Sequence, residues 1–240
     1  MRFIRNVGLR APVVLIGALL LTACSLGQLK GGSSNSSSKR SDDSSPGSAA
    51  FSPSADARKD LGDAFRKLKA AYPYRLTETT SGTMNGKTTM PENKRVVDFA
   101  AADRSHLKWT GGIGGNIEEI TIGDKRYWYS EGKWSEDSRP SADERAKRGA
   151  ELEKALASAT KDVKYMGPET VNGMPCFAYT YTLDFNVSGN SYPGSGKAWV
   201  GAADGLPHQN DSEFSFKSYN QKSHIVYEYN VDFKVEKPIF

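Results

Sequence analysis

Two segments in the last third of the chain alternate strictly between apolar and polar positions. The apolar positions are Phe177, Tyr179, Tyr181, Leu183 and Phe185 in the first segment, and Ile225, Tyr227, Tyr229, Val231, Phe233 and Val235 in the second. Because successive side chains of a strand point to opposite faces, each segment predicts a strand with one apolar face. Such strands are typical of an antiparallel sheet with one wetted face, and the other face must be covered.

Shorter stretches of strand character precede and separate these two segments. A strand that begins at Tyr74 is predicted to turn at Asn85-Gly86, a strong signal for a two-residue hairpin. Gly123-Asp124 indicates a second turn, between two further strands. The remaining strands are predicted at residues 95–100, 107–110, 117–122, 126–129, 198–200 and 214–216.

Two segments have helical spacing instead. Leu61, Ala64, Phe65 and Leu68 recur at the spacing of one helix face, and this helix is expected to end at Tyr72-Pro73. A second helix is predicted to begin at Ser141, because Ser141 and Glu144 have the spacing of a capping box. Its apolar stripe is thin and consists of Ala142, Ala146, Leu152, Leu156 and Ala159. The cover of the sheet is therefore either these two helices or the sheet itself, curled over.

The N-terminus has the pattern of a secretory signal. Arg2, Arg5 and Arg10 precede an uncharged stretch over residues 11–21, which is shorter than the ~20 residues that span a bilayer. Leu21-Thr22-Ala23-Cys24 resembles the lipobox of bacterial lipoproteins, and this resemblance implies cleavage before Cys24 and lipidation of its thiol. The alternative is an ordinary secretory signal with a cysteine nearby by chance.

Three regions follow from this pattern: a lipoprotein signal peptide at 1–23, a lipidated Cys24 with a disordered linker at 24–55, and one folded domain at 56–240. The linker contains the serine-rich run 33–38 and too few apolar residues to fold by itself. As a flexible coil, about 30 residues span on the order of 30 Å, enough to hold a domain away from a membrane surface.

Removal of the leader changes the charge balance. The whole chain has 32 basic and 28 acidic residues, but three of the arginines and none of the acids lie in residues 1–23. The mature chain is therefore nearly neutral, and no basic excess remains that would indicate nucleic acid binding. If Cys24 is lipidated, Cys176 has no partner for a disulfide, and burial is the expected environment of an unpaired cysteine.

The usual signatures of catalysis and metal binding are missing from the sequence. His106, His208 and His224 are not spaced as metal ligands, and His208 and His224 are expected on the surface. Gly194-Ser195-Gly196 lacks the spacing of a nucleophile elbow. We therefore expect no catalytic residue, no cofactor and no metal site, although a triad assembled only in space is not visible in a sequence.

A family resemblance arises from the order of the elements and from two short motifs. These are Val171-Asn172-Gly173, just before the aromatic strand, and the segment 197–207, in which Trp199 is followed by Asp204-Gly205-Leu206-Pro207. Residues 56–240 resemble the LolA-like superfamily, which includes periplasmic lipoprotein carriers and the mycobacterial lipoproteins of the LppX and LprG kind. The resemblance implies an α+β fold, with a curved antiparallel sheet forming an incomplete β-barrel covered by two or more helices.

The resemblance also implies binding of an acyl chain or another lipid in an apolar cavity, for transfer or presentation. Aromatic and apolar residues supply the candidate lining, although the same residues would equally fill an ordinary core. The candidate lipid-binding residues are Phe65, Leu68, Tyr127, Tyr129, Phe177, Tyr179, Tyr181, Tyr227 and Tyr229. The first helix is expected to act as a gate.

The expected partners are a membrane, through the N-terminal lipid, and a lipid or acyl-chain ligand. The alternative function is a ligand-free envelope sensor or assembly partner with another envelope protein as its target, and a third hypothesis is a hydrolase. Ser25 follows Cys24. The resemblance to lipoproteins of enteric bacteria, in which an aspartate at this position retains the protein in the inner membrane, implies the outer membrane facing the periplasm if the source has two membranes.

Overall fold

The computed structural model describes residues 50–111, 115–187 and 190–240. Within these ranges the chain forms eleven strands and two helices. The helices are α1, Ala57–Leu68, and α2, Ala142–Ala159. The strands are β1 Tyr74–Met84, β2 Thr88–Ala101, β3 Arg104–Gly111, β4 Ile117–Ile122, β5 Lys125–Ser130, β6 Lys133–Ser138, β7 Thr160–Val171, β8 Met174–Val187, β9 Asn190–Gly201, β10 Pro207–Phe216 and β11 Tyr219–Tyr229. The predicted lipobox, including Cys24, lies outside the described residues.

All eleven strands belong to one antiparallel sheet. Their order is β6-β5-β4-β3-β2-β1-β11-β10-β9-β8-β7, so that β1 pairs with β11 and joins the two halves of the chain. β6 and β7 are the edges, and they do not pair with each other in the part of the chain that the structure describes. The sheet is curved and unclosed, which confirms the predicted α+β fold with an incomplete barrel.

Two core clusters lie between α1 and the inner face of the sheet. On the inner face, the helix residues Leu61 and Ala64 pack in one core cluster with Tyr179, Tyr181 and Leu183 of β8. A second inner cluster joins the end of α1 to β1, β2 and β11. Its buried members are Leu68, Tyr74, Leu76, Val97, Phe99, Ile225 and Tyr227. Phe65 packs against both clusters and therefore lies where the two halves of the core meet.

The helix termini follow the predicted sequence signals in part. The capping box of α2 is present, since the Ser141 side chain accepts from the Glu144 N–H and the Glu144 side chain accepts from the Ser141 N–H. α1 ends at Leu68, four residues before the predicted stop. Its chain continues with hydrogen bonds of the i to i−3 type, from Ala70 to Lys67 and from Ala71 to Leu68, which tighten the last turn.

The C-terminal strand is shorter than the alternation predicts. β11 ends at Tyr229, opposite Tyr74, the first residue of β1. Asn230 has φ of 56°, so the backbone turns away there. The following segment crosses the outer face, where Phe233 lies 5.8 Å from the Arg75 guanidinium and Val235 is buried in a small cluster. The alternation beyond Asn230 therefore reflects packing of a tail, not a strand.

A buried carboxylate connects α1 to its surroundings. Asp60 is 5% exposed and accepts hydrogen bonds from the Ser54 N–H and hydroxyl, both at 2.7 Å, and from the Tyr179 hydroxyl at 3.4 Å. Burial and the neighbouring Asp60 carboxylate raise the pKa of Tyr179. Residues at the end of the predicted linker also contact the domain, since the Phe51 N–H donates to the Ala202 carbonyl at 2.9 Å.

We expect Asp60→Ala to lower the free energy of unfolding by about 1–3 kcal/mol, because it leaves Tyr179 and Ser54 without their acceptor. Asp63→Ala is the matched control on the same helix. Asp63 pairs with Lys59 and Arg66 at the surface, and its loss is expected to cost less than about 1 kcal/mol. Urea unfolding of the two variants measures the difference, and equal effects would contradict the anchoring role of Asp60.

Candidate functional site

A cavity of about 280 Å³ lies between the two helices and the inner face of the sheet. Its apolar lining comes from every layer around it: Leu61 and Phe65 of α1, Leu156 of α2, Val163 of β7 and Leu183 of β8. The cavity exists because α1 and α2 cover the sheet over β7 to β10 without filling the space between them. Its volume is near the lower end of the range typical of small-molecule sites.

Charged side chains line the cavity only on the helix side. They are Arg58, Arg66 and Lys69 of α1 and its C-cap, and Glu153 of α2. The Lys69 Nζ atom lies 2.5 Å from the Glu153 Oε2 atom, and this ion pair ties the end of α1 to α2. Arg66 pairs with Asp63 of its own helix. The helix side of the cavity therefore carries more positive than negative charge.

The sheet side contributes polar groups without charge. The Tyr181 hydroxyl donates to the Asn210 Oδ1 atom at 2.6 Å, and both side chains are buried. Burial raises the pKa of Tyr181, so the phenol stays protonated as a donor. Tyr227 of β11 and Thr160 complete this wall. The cavity thus has an apolar body with a hydrogen-bonding pair on the sheet.

The glycines of β9 make room for two aromatic side chains on the inner face, Tyr181 and Phe214. Gly196 pairs with Tyr181 across the sheet, and a Cβ atom on Gly196 would lie 2.4 Å from the Tyr181 ring. Gly194 lies against Phe214 in the same way, with a Cβ atom 2.7 Å from that ring. The Gly194-Ser195-Gly196 segment therefore provides space for two aromatic rings on the inner face.

The predicted lipid-binding residues are distributed over several parts of the fold. Phe65, Tyr181 and Tyr227 line the cavity together. Leu68 and Tyr179 are buried in the inner core, and Phe177 packs against Phe51. The others lie elsewhere: Tyr229 donates to the Pro207 carbonyl, Tyr127 packs with Val235 on the outer face, and Tyr129 is 41% exposed beside Trp134.

Several lining residues were not singled out from the sequence. Leu61, Leu156 and Leu183 belong to the predicted apolar stripes, so a signal for them existed. Asn210 had none, because the sequence predicts a strand only from Phe214, whereas β10 begins at Pro207. The strand was missed because polar residues dominate its first half.

The histidines each contact a carboxylate. His106 lies 2.6 Å from Glu118, and His224 lies 2.6 Å from Asp211. His208, predicted at the surface, is instead 7% exposed. The prediction was wrong because the ring turns inward at the start of β10, where Asp204 lies 3.0 Å from it and the Tyr229 ring packs on it.

Side chains able to ligate a metal, the free cysteine and the helix lengths are further features of the described residues. No three His, Cys, Asp or Glu side chains within them are grouped to hold a metal ion. Cys176 is free and 1% exposed, which confirms its predicted burial, and burial raises the pKa of its thiol. Neither helix of this part of the chain is both long and apolar enough to cross a bilayer.

The comparisons with known proteins agree with the predicted LolA-like fold. The structure is similar to lipoprotein LppX of Mycobacterium tuberculosis, with a TM-score of 0.50 and 12% identity over 75% of this chain and 98% of that chain. Weaker similarity is found to LprF of Mycobacterium bovis, with a TM-score of 0.47 and 12% identity over 78% of this chain and 99% of that one. A LolA superfamily protein of Nitrosomonas europaea follows, with a TM-score of 0.33 and 6% identity over 75% and 96%.

Comparisons of sequence alone give no match. No family model matches the chain, and no curated protein matches it. At 12% identity the similarity to LppX concerns the fold alone. The chain therefore has a fold similar to that of LppX, and its ligand has to be inferred from its own cavity.

We expect Gly196→Ala to destabilise the domain by about 1–3 kcal/mol, because the added methyl group overlaps the Tyr181 ring. The displaced ring would also lose its hydrogen bond to Asn210. Thermal unfolding of Gly196→Ala, Tyr181→Ala and the double variant measures the coupling between the two positions. In the double variant the alanine at 196 should cost little, whereas strictly additive effects would contradict this contact.

Proposed function

We propose that the protein is a lipid-anchored envelope protein that binds an acyl chain in the cavity between its helices and sheet, for transfer or presentation. The observation that carries this proposal is the apolar lining by Leu61, Phe65, Leu156, Val163 and Leu183. Burial of each CH₂ group in such a lining contributes about 0.8 kcal/mol. A single chain fits the size of the cavity better than a bulky multi-chain lipid.

The charges around the cavity favour a lipid with a negative head group. Arg58, Arg66 and Lys69 face only one lining carboxylate, that of Glu153. The Arg58 side chain makes no hydrogen bond or ion pair with any other described residue. Its guanidinium is therefore available to a phosphate or carboxylate outside the cavity, with the acyl chain inside.

The proposed location rests on the N-terminal sequence. A lipid on Cys24 would hold the protein at a membrane, and the linker would let the domain reach the surface of that membrane or a partner beside it. If the source has two membranes, Ser25 favours the periplasmic side of the outer membrane. A tethered protein of this kind hands a lipid on locally instead of carrying it across the envelope.

The first experiment is native mass spectrometry of the mature chain with Cys24→Ser, prepared without detergent. We expect a mass excess that matches an acyl lipid, either after purification or after incubation with phospholipid vesicles. A bare mass in both cases would contradict the proposal and favour the alternative, a ligand-free sensor or assembly partner with the same fold.

We expect Ala157→Trp to weaken lipid binding, because Ala157 lies at the exposed edge of the cavity lining and an indole there narrows the opening. Ala155→Trp is the matched control, since Ala155 is exposed on the same helix and does not line the cavity. The fraction of lipid-bound protein in native mass spectra compares them. Equal retention of lipid by the two variants would place the binding site elsewhere.

We expect Glu153→Gln to speed up lipid release, because it weakens the tie between α1 and α2. A partly exposed ion pair contributes about 0.2–1 kcal/mol, so the dissociation rate should rise roughly 1.5- to 5-fold. Glu151→Gln is the control, as Glu151 is exposed on α2 and forms no ion pair with the described residues. Transfer of a fluorescent lipid to acceptor vesicles measures the rates, and identical rates would exclude a gating role for this pair.

A further inference from the structure

We propose that Asn210 makes the cavity selective for acyl esters over free fatty acids, by donating a hydrogen bond from its side-chain nitrogen to the ester carbonyl oxygen. This inference rests on the proposed function, because it concerns the ligand of the same cavity. It adds a specificity-determining residue and a chemical class of ligand.

The Asn210 side chain is buried, and one end of its amide is already paired. Asn210 is 2% exposed, lies on the inner face of β10 and lines the cavity. Its Oδ1 atom accepts the Tyr181 hydroxyl at 2.6 Å. Its Nδ2 atom has no hydrogen-bond partner within residues 50–111, 115–187 and 190–240. The nitrogen is not fully enclosed by the protein, and since Asn210 lines the cavity it is open to an acceptor on a bound ligand.

The Tyr181 side chain fixes the orientation of this donor. The Tyr181 ring lies against Gly196, where no side chain competes for its space. Its hydroxyl therefore holds the oxygen end of the Asn210 amide on the sheet side. The nitrogen end is left to bind a ligand, and this end offers donors only. The site thus recognises an acceptor and not a donor.

The sheet side of the cavity favours a hydrogen-bond acceptor without charge. The lining residues that come from the sheet are Thr160, Val163, Tyr181, Leu183, Asn210 and Tyr227, and none of them is charged. A carboxylate placed against this wall would lose its hydration without gaining a counter-charge there. The carbonyl oxygen of an ester accepts the same hydrogen bond without that penalty, so the geometry favours an ester over a free fatty acid.

The next inward-facing residue of β10 is also polar, although it is not part of the cavity lining. Ser212 is two residues from Asn210 on the inner face, is 6% exposed, and its hydroxyl has no hydrogen-bond partner in the part of the chain described here. Two consecutive inward positions of β10 therefore carry unused polar atoms. An apolar core would have had aliphatic residues at both.

The test compares two ligands that differ mainly by the carbonyl oxygen, methyl decanoate and methyl decyl ether. Both are titrated into the mature chain with Cys24→Ser by displacement of a fluorescent alkyl probe. We expect the ester to bind roughly 3- to 10-fold more tightly, the value of one neutral hydrogen bond. In Asn210→Leu, which keeps the volume and removes the donor, the two affinities should become equal while that for the ether is retained.

A second measurement does not depend on the stability of that variant. The infrared carbonyl band of bound methyl decanoate, labelled with ¹³C at the carbonyl, should lie below its position in hexane if the oxygen accepts a hydrogen bond. An unshifted band together with equal affinities for ester and ether would overturn the role of Asn210 and leave the proposed function standing. Failure of both compounds to bind the wild-type cavity would count against the proposed function as well.

Discussion

The structure depends on one constraint: an unclosed sheet with an apolar inner face must be covered by something other than itself. A closed barrel would bury that face internally, but here β6 and β7 remain as separate edges. Two helices supply the cover: they lie mainly over β7 to β10, and the end of α1 reaches β1, β2 and β11 through Leu68, which is still only part of a sheet of eleven strands. The cavity is a consequence of this geometry, because two cylinders on a curved surface leave space between them.

The position of α1 follows from two kinds of contact that differ in character. Leu61, Ala64 and Leu68 bury an apolar stripe, which favours many orientations of similar energy. The hydrogen bonds of Asp60 to Ser54 and Tyr179 are directional and specify one of them. At its other end α1 is tied by the exposed pair of Lys69 and Glu153, a weaker interaction. The start of the helix is therefore held by directional hydrogen bonds, and its end by burial of Leu68 together with an exposed ion pair.

The sequence predicted the strands with strong alternation and the termini with specific capping or turn residues. The faces of β8, the turn at Asn85-Gly86 and the capping box of α2 are all determined by interactions between near neighbours, which a sequence pattern can report. The loop at this turn has three residues, 85–87, instead of the predicted two. The first half of β10 was missed because its residues are polar on both faces. Those polar residues are stable there only because β9 and β11 flank them and Tyr181 supplies a partner across the sheet.

The same limit explains why the candidate site was predicted only in part. Phe65, Tyr181 and Tyr227 line the cavity, whereas Tyr127 and Tyr129 have the same spacing on a different strand and lie away from it. Alternation identifies which residues share a face of one strand. It does not identify which face of a distant strand lies beneath the helices, since that depends on the pairing of β1 with β11.

The energetics of the cavity bear on what such a protein can do. A volume of about 280 Å³ holds roughly nine CH₂ groups, when each is given about 30 Å³, the volume of a water molecule in the liquid. At about 0.8 kcal/mol for each CH₂ group, their burial gives on the order of 7 kcal/mol. Association itself costs about 4–15 kcal/mol, so hydrophobic burial alone leaves little net affinity. The polar contacts, at Asn210 inside and at the basic residues of α1 outside, would then decide which lipid is retained. A ligand held so weakly by its chain is also one that can be released to a neighbouring acceptor.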